Sequence, residues 1–413
     1  MPRLKPKNPK KQPSSTVGRA RPVQQQFKWI AAVVIVLNLS ACSTISGWFD
    51  SDDEDPKQPV GLEKISQTVK IKKLWSTGVG DGQGDGFYRL QPVIDGDRIY
   101  AASADGEVKA FERSRGKSLW KVDLDTTLSG GVGVYDDALF VGSSDGFVIR
   151  LDANSGTEVW RSRLTGEILA APQGNGAVVI AQTYDGKLQG LDFASGEKLW
   201  TYDSNVPVLT IRGTNTPILR DGAVYTGFAN GRVVAFDALT GAVRWEVRVT
   251  IAQGRSEIER IVDVDGTMSI AGNELYAASY QGRLVAIDMK NGRKLWQRDV
   301  SSFSGVSQGF GNVYVADEDG TLNAYLRNGQ GLRWTQGALG YRQLSRPTPV
   351  SSYVAVADFE GIVHIISQVD GEFAGRVKAD GNGVRADMLS DGNVLYVFGN
   401  GGKLVAYEVT AKN

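Results

Sequence analysis

The chain has one cysteine and one histidine in 413 residues. A single Cys forms no internal disulfide, and neither a Cys₄ nor a mixed His/Cys zinc set can be assembled from this inventory. Long apolar runs are scarce as well. The clearest, Trp29 to Leu39, has eleven residues, against the roughly 20 that span a bilayer. A basic surplus is also missing. Formal net charge is zero, but residues 1–41 hold eight basic and no acidic side chains, so the remainder carries 38 basic against 46 acidic, a net of −8. Phosphate affinity comes from clustered Lys and Arg, so no nucleic-acid partner is expected.

Glycine, by contrast, is plentiful, with 50 residues, and its placement is periodic. Two-residue turns recur at Asp105-Gly106, Asp145-Gly146, Asp185-Gly186, Asn230-Gly231, Gln281-Gly282, Asp319-Gly320, Glu360-Gly361 and Gly401-Gly402. Their spacings are 40, 40, 45, 51, 38, 41 and 41 residues. Each turn lies between two runs with strand patterning, and such a period is the mark of a propeller with one four-stranded blade per repeat. The expected fold is all-β: eight blades of four antiparallel strands.

An Asp follows the returning strand in several repeats (Asp152, Asp192, Asp237, Asp288), and a Trp recurs shortly afterwards (Trp120, Trp160, Trp200, Trp245, Trp296, Trp334). A row of acids suggests catalysis, but an Asp at one fixed offset per repeat is a turn-former that accepts backbone N–H groups two residues on. A Trp at one fixed place per blade packs on the neighbouring blade. The seventh unit has Gly375 at the Trp position, which predicts a looser junction there. Val69 to Trp75 reads as an orphan outer strand carrying the missing Trp; paired into the last blade, it closes the ring and removes an open sheet edge.

The apolar run ends in Leu39-Ser40-Ala41-Cys42, which resembles the bacterial lipobox. That resemblance implies that Cys42 becomes the acylated N-terminus, and several acyl chains on one residue make a stable anchor. Ser43 at the next position implies sorting to the outer membrane. The acidic stretch Asp50 to Pro56 has little to bury. The expected organisation is a signal peptide over residues 1–41, an acylated Cys and flexible acidic tether over 42–66, and a propeller over 67–411. The expected location is the periplasmic face of the outer membrane of a Gram-negative bacterium, held by lipid.

The repeat itself, Ala/Leu-Asp-x-x-Ser/Thr-Gly-x-x-x-Trp, resembles the tryptophan-docking repeat of the PQQ-like quinoprotein propellers. Enzymes of that class are implied to hold calcium with acidic and amide residues and often to carry adjacent cysteines; here the only Cys is assigned to lipid. The Gly-rich run from Gly78 to Gly86 lacks the following helix and the Lys of a phosphate loop, and reads as a flexible linker. His364, alone between Val363 and Ile365, reads as packing. No cofactor, metal or catalytic residue is expected and the chain is read as no enzyme; the alternative is a periplasmic quinoprotein dehydrogenase or a degenerate relative.

Binding remains, and extra length shows where. Trp200 to Trp245 is 45 residues and Trp245 to Trp296 is 51, against 40 in the regular units. The additions fall in 205–213 and 250–267, each ahead of a blade's first strand, so both emerge on one face. Leu209 and Ile211 beside Arg212, facing Arg260, Asp263 and Asp265, make a candidate contact patch. With the lipobox and tether, the strings Leu-x-Ile-Arg-Gly and Ser-Glu-Ile-x-Arg-x-x-Asp-Val-Asp resemble the BamB family of lipoproteins in the outer-membrane β-barrel assembly machinery. The resemblance implies docking on the POTRA domains of BamA, among the other Bam subunits, through Leu209, Ile211, Arg212, Asp263 and Asp265. It also implies transient contact with unfolded outer-membrane protein precursors.

Overall fold

The computed structural model describes residues 57–412; the signal segment, Cys42 and the acidic stretch lie outside the described residues. Within them, thirty-two strands form eight four-stranded antiparallel sheets. Blade 2 shows how sequence becomes blade. Ala138–Ser143 is buried along its whole length, and Asp145-Gly146 turns the chain with Gly146 at φ 82°, a conformation that costs Gly no steric penalty. Phe147–Asp152 runs back, and Glu158–Arg163 forms the rim with side chains alternating between exposed and half-buried. The middle strands are sandwiched between neighbouring blades; the rim strand has one face in water, hence the period of two.

As expected, the first strand closes the ring. Val69–Gly78 pairs antiparallel with Lys403–Ala411, from Val69 opposite Ala411 to Gly78 opposite Lys403. The four-stranded eighth blade thus joins the first and last of the described strands.

Seven blade junctions share one device. Each indole lies over the turn glycine of the next blade, where a Cβ would collide with the ring: Trp75 on Gly116, Trp120 on Gly156, Trp160 on Gly196, Trp200 on Gly241, Trp245 on Gly292, Trp296 on Gly329 and Trp334 on Gly371. Each Nε1–H donates to a carbonyl of that blade at 2.8–3.1 Å, as Trp160 does to Phe193 at 3.1 Å and Trp245 to Met289 at 2.8 Å. The rim strands carry a β-bulge just ahead of the Trp, for example where Ala110 pairs Trp120 but Phe111 pairs Ser118. A bulge re-aims a side chain, here the indole.

Four readings from sequence need correction. The junction at Gly375 is not looser: Val69 and Ile71 fill the space an indole occupies elsewhere, and the Thr68 N–H donates to the Ala374 carbonyl at 2.8 Å. The run from Gly78 to Gly86 is not a flexible linker. The Val79 N–H bonds the Gly402 carbonyl, the Gln83 N–H bonds the Asn400 carbonyl, and buried Gln83 exchanges two hydrogen bonds with the Leu90 backbone. Glycine is required at Gly82, where a Cβ would strike the backbone of Asn400 and Gly402. A linker reading counted local composition and missed the tertiary bonds that backbone groups make when glycines let two loops approach.

The third correction concerns His364, which does more than pack. Its Nδ1 accepts the Arg376 Nε–H at 3.0 Å, so Nε2 carries the proton and donates to Asp358 at 3.1 Å. Burial lowers the His364 pKa, in keeping with a neutral ring. Arg342, which donates to the same Asp358 carboxylate at 2.8 Å, also donates to the Val60 carbonyl, and Arg376 donates to the Glu63 carbonyl. The last part of the segment read as a free tether to residue 66 is therefore held against blades 6 and 7 from Val60 onward.

Candidate functional site

Each blade's inner hairpin turn and the connection leading to the next blade meet on one face. The pattern is regular: the Leu124 N–H donates to the Gly106 carbonyl, Leu164 to Gly146, Ser204 to Gly186 and Val249 to Gly231. On the other face lie the Asp turns. There Asp152 accepts the N–H groups of Asn154 and Ser155 and the Ser155 hydroxyl. Asp192 and Asp237 repeat the arrangement, and these bonds hold both carboxyls below the usual range, Asp237 at about 2 with Arg244 as the first cause. These acids form turns, as their spacing predicted.

Both insertions emerge on the first face and touch. The Ile211 N–H donates to Asp263 Oδ2 at 2.5 Å, and the Asn215 amide donates to the Gly266 carbonyl at 2.6 Å. Leu209 and Arg212 are exposed, and Ile211 is half-buried. Asp263, by contrast, is only 2% exposed and lies beneath the first insertion, where it holds the loop rather than presenting itself. Asp263 Oδ1 and Asp265 Oδ2 are buried without a hydrogen-bond partner. Burial pushes the Asp263 carboxyl up to about 7, and burial with the neighbouring Asp263 charge pushes Asp265 well above the carboxylate range. Both carboxyls are thereby harder to ionise than an exposed Asp.

Arg212 reaches across the face. It donates to the Gly86 carbonyl at 3.2 Å and to Glu167 at 2.8 Å, and its guanidinium lies over Tyr88 and Tyr184. The guanidinium plane is thus fixed by blades 1 and 3 while its backbone belongs to the first insertion. Arg260 stands apart, exposed, with Glu257 at 3.9 Å.

Between the insertions runs a cleft of about 690 Å³, walled by Val208, Leu209, Ile251, Arg248 and Arg260 among others. Val208 is 88% exposed and Ile258, on the second insertion, 66%. Sequence reading named Leu209 and Ile211 but not Val208, Ile251 or Ile258, although all three stand in the same added segments. A second cavity, about 420 Å³, opens nearer the centre of the face; Arg212 and Ile211 form one side and Arg89, Arg346 and Arg385 others. Nothing in the linear sequence links these arginines, which come from different interblade connections. No three His, Cys, Asp or Glu side chains among the described residues converge into a set able to hold a metal.

With this geometry in view, the relatives are informative. A family model described as "Outer membrane protein assembly factor BamB" matches residues 104–336. A protein of that name from Pseudomonas aeruginosa is 52% identical over 384 residues, covering 93% of this chain and 99% of the relative. One from Kangiella koreensis is 42% identical over 364 residues, covering 88% and 92%. The crystal structure of BamB from Moraxella catarrhalis superposes with a TM-score of 0.76 at 31% identity, over 82% of this chain and all of that one. Quinohemoprotein alcohol dehydrogenase from Comamonas testosteroni shares the fold alone, with a TM-score of 0.65 at 15% identity over 83% of this chain and 77% of that one. The names of the curated relatives are those of assembly factors and not of enzymes, in agreement with the reading of the sequence. The chain belongs to the BamB family of outer-membrane protein assembly factors.

Proposed function

We propose that this chain is a non-enzymatic scaffold of the outer-membrane β-barrel assembly complex that docks on the POTRA domains of BamA. Acylated Cys42 tethers it to the periplasmic face of the outer membrane. Leu209, Ile211 and Arg212 form the contact surface, and Asp263 and Asp265 support it from below. One observation carries the reading: the bond from Ile211 to Asp263 joins the two longest departures from the repeat into a single platform. That platform exposes apolar side chains beside a guanidinium whose orientation is fixed. Interfaces concentrate their energy in such apolar and Arg anchors, which lose little freedom when a partner arrives.

Held there, the propeller presents unfolded barrel precursors to the assembly pore. The rim strands leave edges on which an extended precursor can pair transiently. Crosslinks from precursors that map only to loops, and never to rim strands, would remove that last element.

The test is purification of the full chain from membranes in mild detergent, comparing wild type with Arg212→Glu and Leu209→Glu. The reading expects BamA to accompany the wild type and to be lost from both variants. Leu209→Glu guards against an effect of breaking the Arg212–Glu167 pair. BamA retained by both variants moves the docking site elsewhere, and wild type recovered without BamA contradicts the function.

A further inference from the structure

The central cavity has a chemistry that the docking surface does not use. Its wall brings together Arg89, Arg212, Arg346 and Arg385, with Asp387 the single carboxylate among the lining residues, in a chain whose body is otherwise acidic. Two of the guanidiniums lie over aromatic rings: Arg89 is 5.8 Å from the centre of Phe303 and Arg385 4.9 Å from that of Phe87. Backbone carbonyls fix the same groups at one end, Arg89 through Phe303 and Arg385 through Tyr88. Arg346 donates from Nε to the Val306 carbonyl at 2.7 Å and approaches Asp387 at 3.7 Å.

A guanidinium has five N–H donors, and the protein's own acceptors take up only one or two on Arg89, Arg346 and Arg385. The neighbouring acids do little to offset the charge. Glu167 is paired to Arg212 at 2.8 Å, Asp387 also accepts the Thr267 hydroxyl at 2.7 Å, and burial disfavours the charge on Asp265 near Arg89. Burial and the charge of Arg89 lower the Arg385 pKa, so like charges face one another across the cavity. Ser304, 5% exposed and on the same wall, has a hydroxyl with no partner in the protein.

The geometry points to an oxyanion-binding site in this cavity, built by Arg89, Arg346, Arg385 and Ser304 for a ligand bearing two or more carboxylate-type negative charges. Fixed, converging guanidiniums suit planar oxyanions, which they bind through paired N–H donors. A ligand of this chemistry has two sources, a free polycarboxylate or the side chains of an acidic peptide segment. The site adjoins the proposed docking surface, whose Ile211 and Arg212 line one side of the cavity, but Arg89, Arg346, Arg385 and Ser304 are not among the docking contacts.

The full-length chain in detergent would be titrated calorimetrically, at constant ionic strength, with citrate and in parallel with a tetraglutamate peptide. Wild type is compared with Arg346→Gln, Arg385→Gln and Ser304→Ala. Saturable binding of either probe is expected, with an affinity loss of about tenfold or more for each arginine variant, the worth of one or two charge-assisted hydrogen bonds. A smaller loss is expected for Ser304→Ala, a substitution that removes only a hydroxyl and leaves the fold intact. Citrate binding identifies a free anion as sufficient, and peptide binding alone identifies a protein segment as the source. No saturable heat with either probe overturns the site, as does equal binding by wild type and the arginine variants. Retention of BamA by Arg346→Gln and Arg385→Gln keeps this test independent of the docking surface.

Discussion

The two faces of the ring are built from the same repeat and have diverged differently. On one, the Asp turns recur with little change: Asp152, Asp192 and Asp237 each accept two backbone N–H groups and a Ser or Thr hydroxyl. On the other, the connections between blades differ in length and composition, and two of them hold the longest additions in the repeat array. The first face is constrained by each turn's own hydrogen bonds. The second is released from them because the blade beneath is already held by its Trp junction. A propeller can therefore vary one face freely without reworking its ring, and sites belong where the period is broken.

The comparison breaks most severely at the junctions that support both faces. Trp334→Ala removes a buried indole that packs on Gly371 and bonds the Gln368 carbonyl. It should lower the unfolding free energy by about 3–5 kcal/mol, read by chemical denaturation. An effect below about 1 kcal/mol would mean that the ring does not depend on its indoles.

Asp263→Asn tests the buried support of the insertion face. Asp263 has a folded pKa of about 7, above the roughly 3.9 of an unfolded chain. The folded state therefore binds more protons above about pH 4, and stability falls as pH rises through 7, a fall that Asp265 extends because its carboxyl is raised as well. The Asn variant, which still accepts the Ile211 N–H, should flatten that profile and be more stable than wild type at pH 8 by on the order of 2 kcal/mol. Thermal melts from pH 4 to 8 would show this; an unchanged slope would place the Asp263 charge in water.

Asp152→Ala, on the regular face, should cost about 1 kcal/mol and leave partner recovery untouched. Arg212→Glu should also be mild for the fold, about 1 kcal/mol because its ion pair with Glu167 is only partly buried, while abolishing recovery of BamA. Denaturation and co-purification of the two variants side by side separate stability from recognition; a variant that loses both would join the two faces again.

The architecture was legible because its signals are local and repeated. Gly146 and its counterparts need only their own turn, and the spacing of the Trp residues marks each junction. The insertions were legible as departures from that spacing. What escaped depends on burial and on contacts across the ring. Asp263 and Leu209 look equally available in sequence, yet one lies beneath the other's loop. Gly82 looks like linker because its partners, Asn400 and Gly402, stand at the far end of the chain. Arg89, Arg346 and Arg385 meet only through closure of the ring, and His364 gains its role from Asp358 in the adjoining hairpin turn and Arg376 on the neighbouring strand.

The central claim is that partner recognition belongs to the insertion face alone. The most direct measurement is photocrosslinking in cells from a benzophenone amino acid placed at position 209 or, on the opposite face, at position 154. A crosslink to a BamA POTRA domain from 209 and none from 154 is the predicted result. Crosslinks to BamA from 154, or from both positions equally, would contradict it.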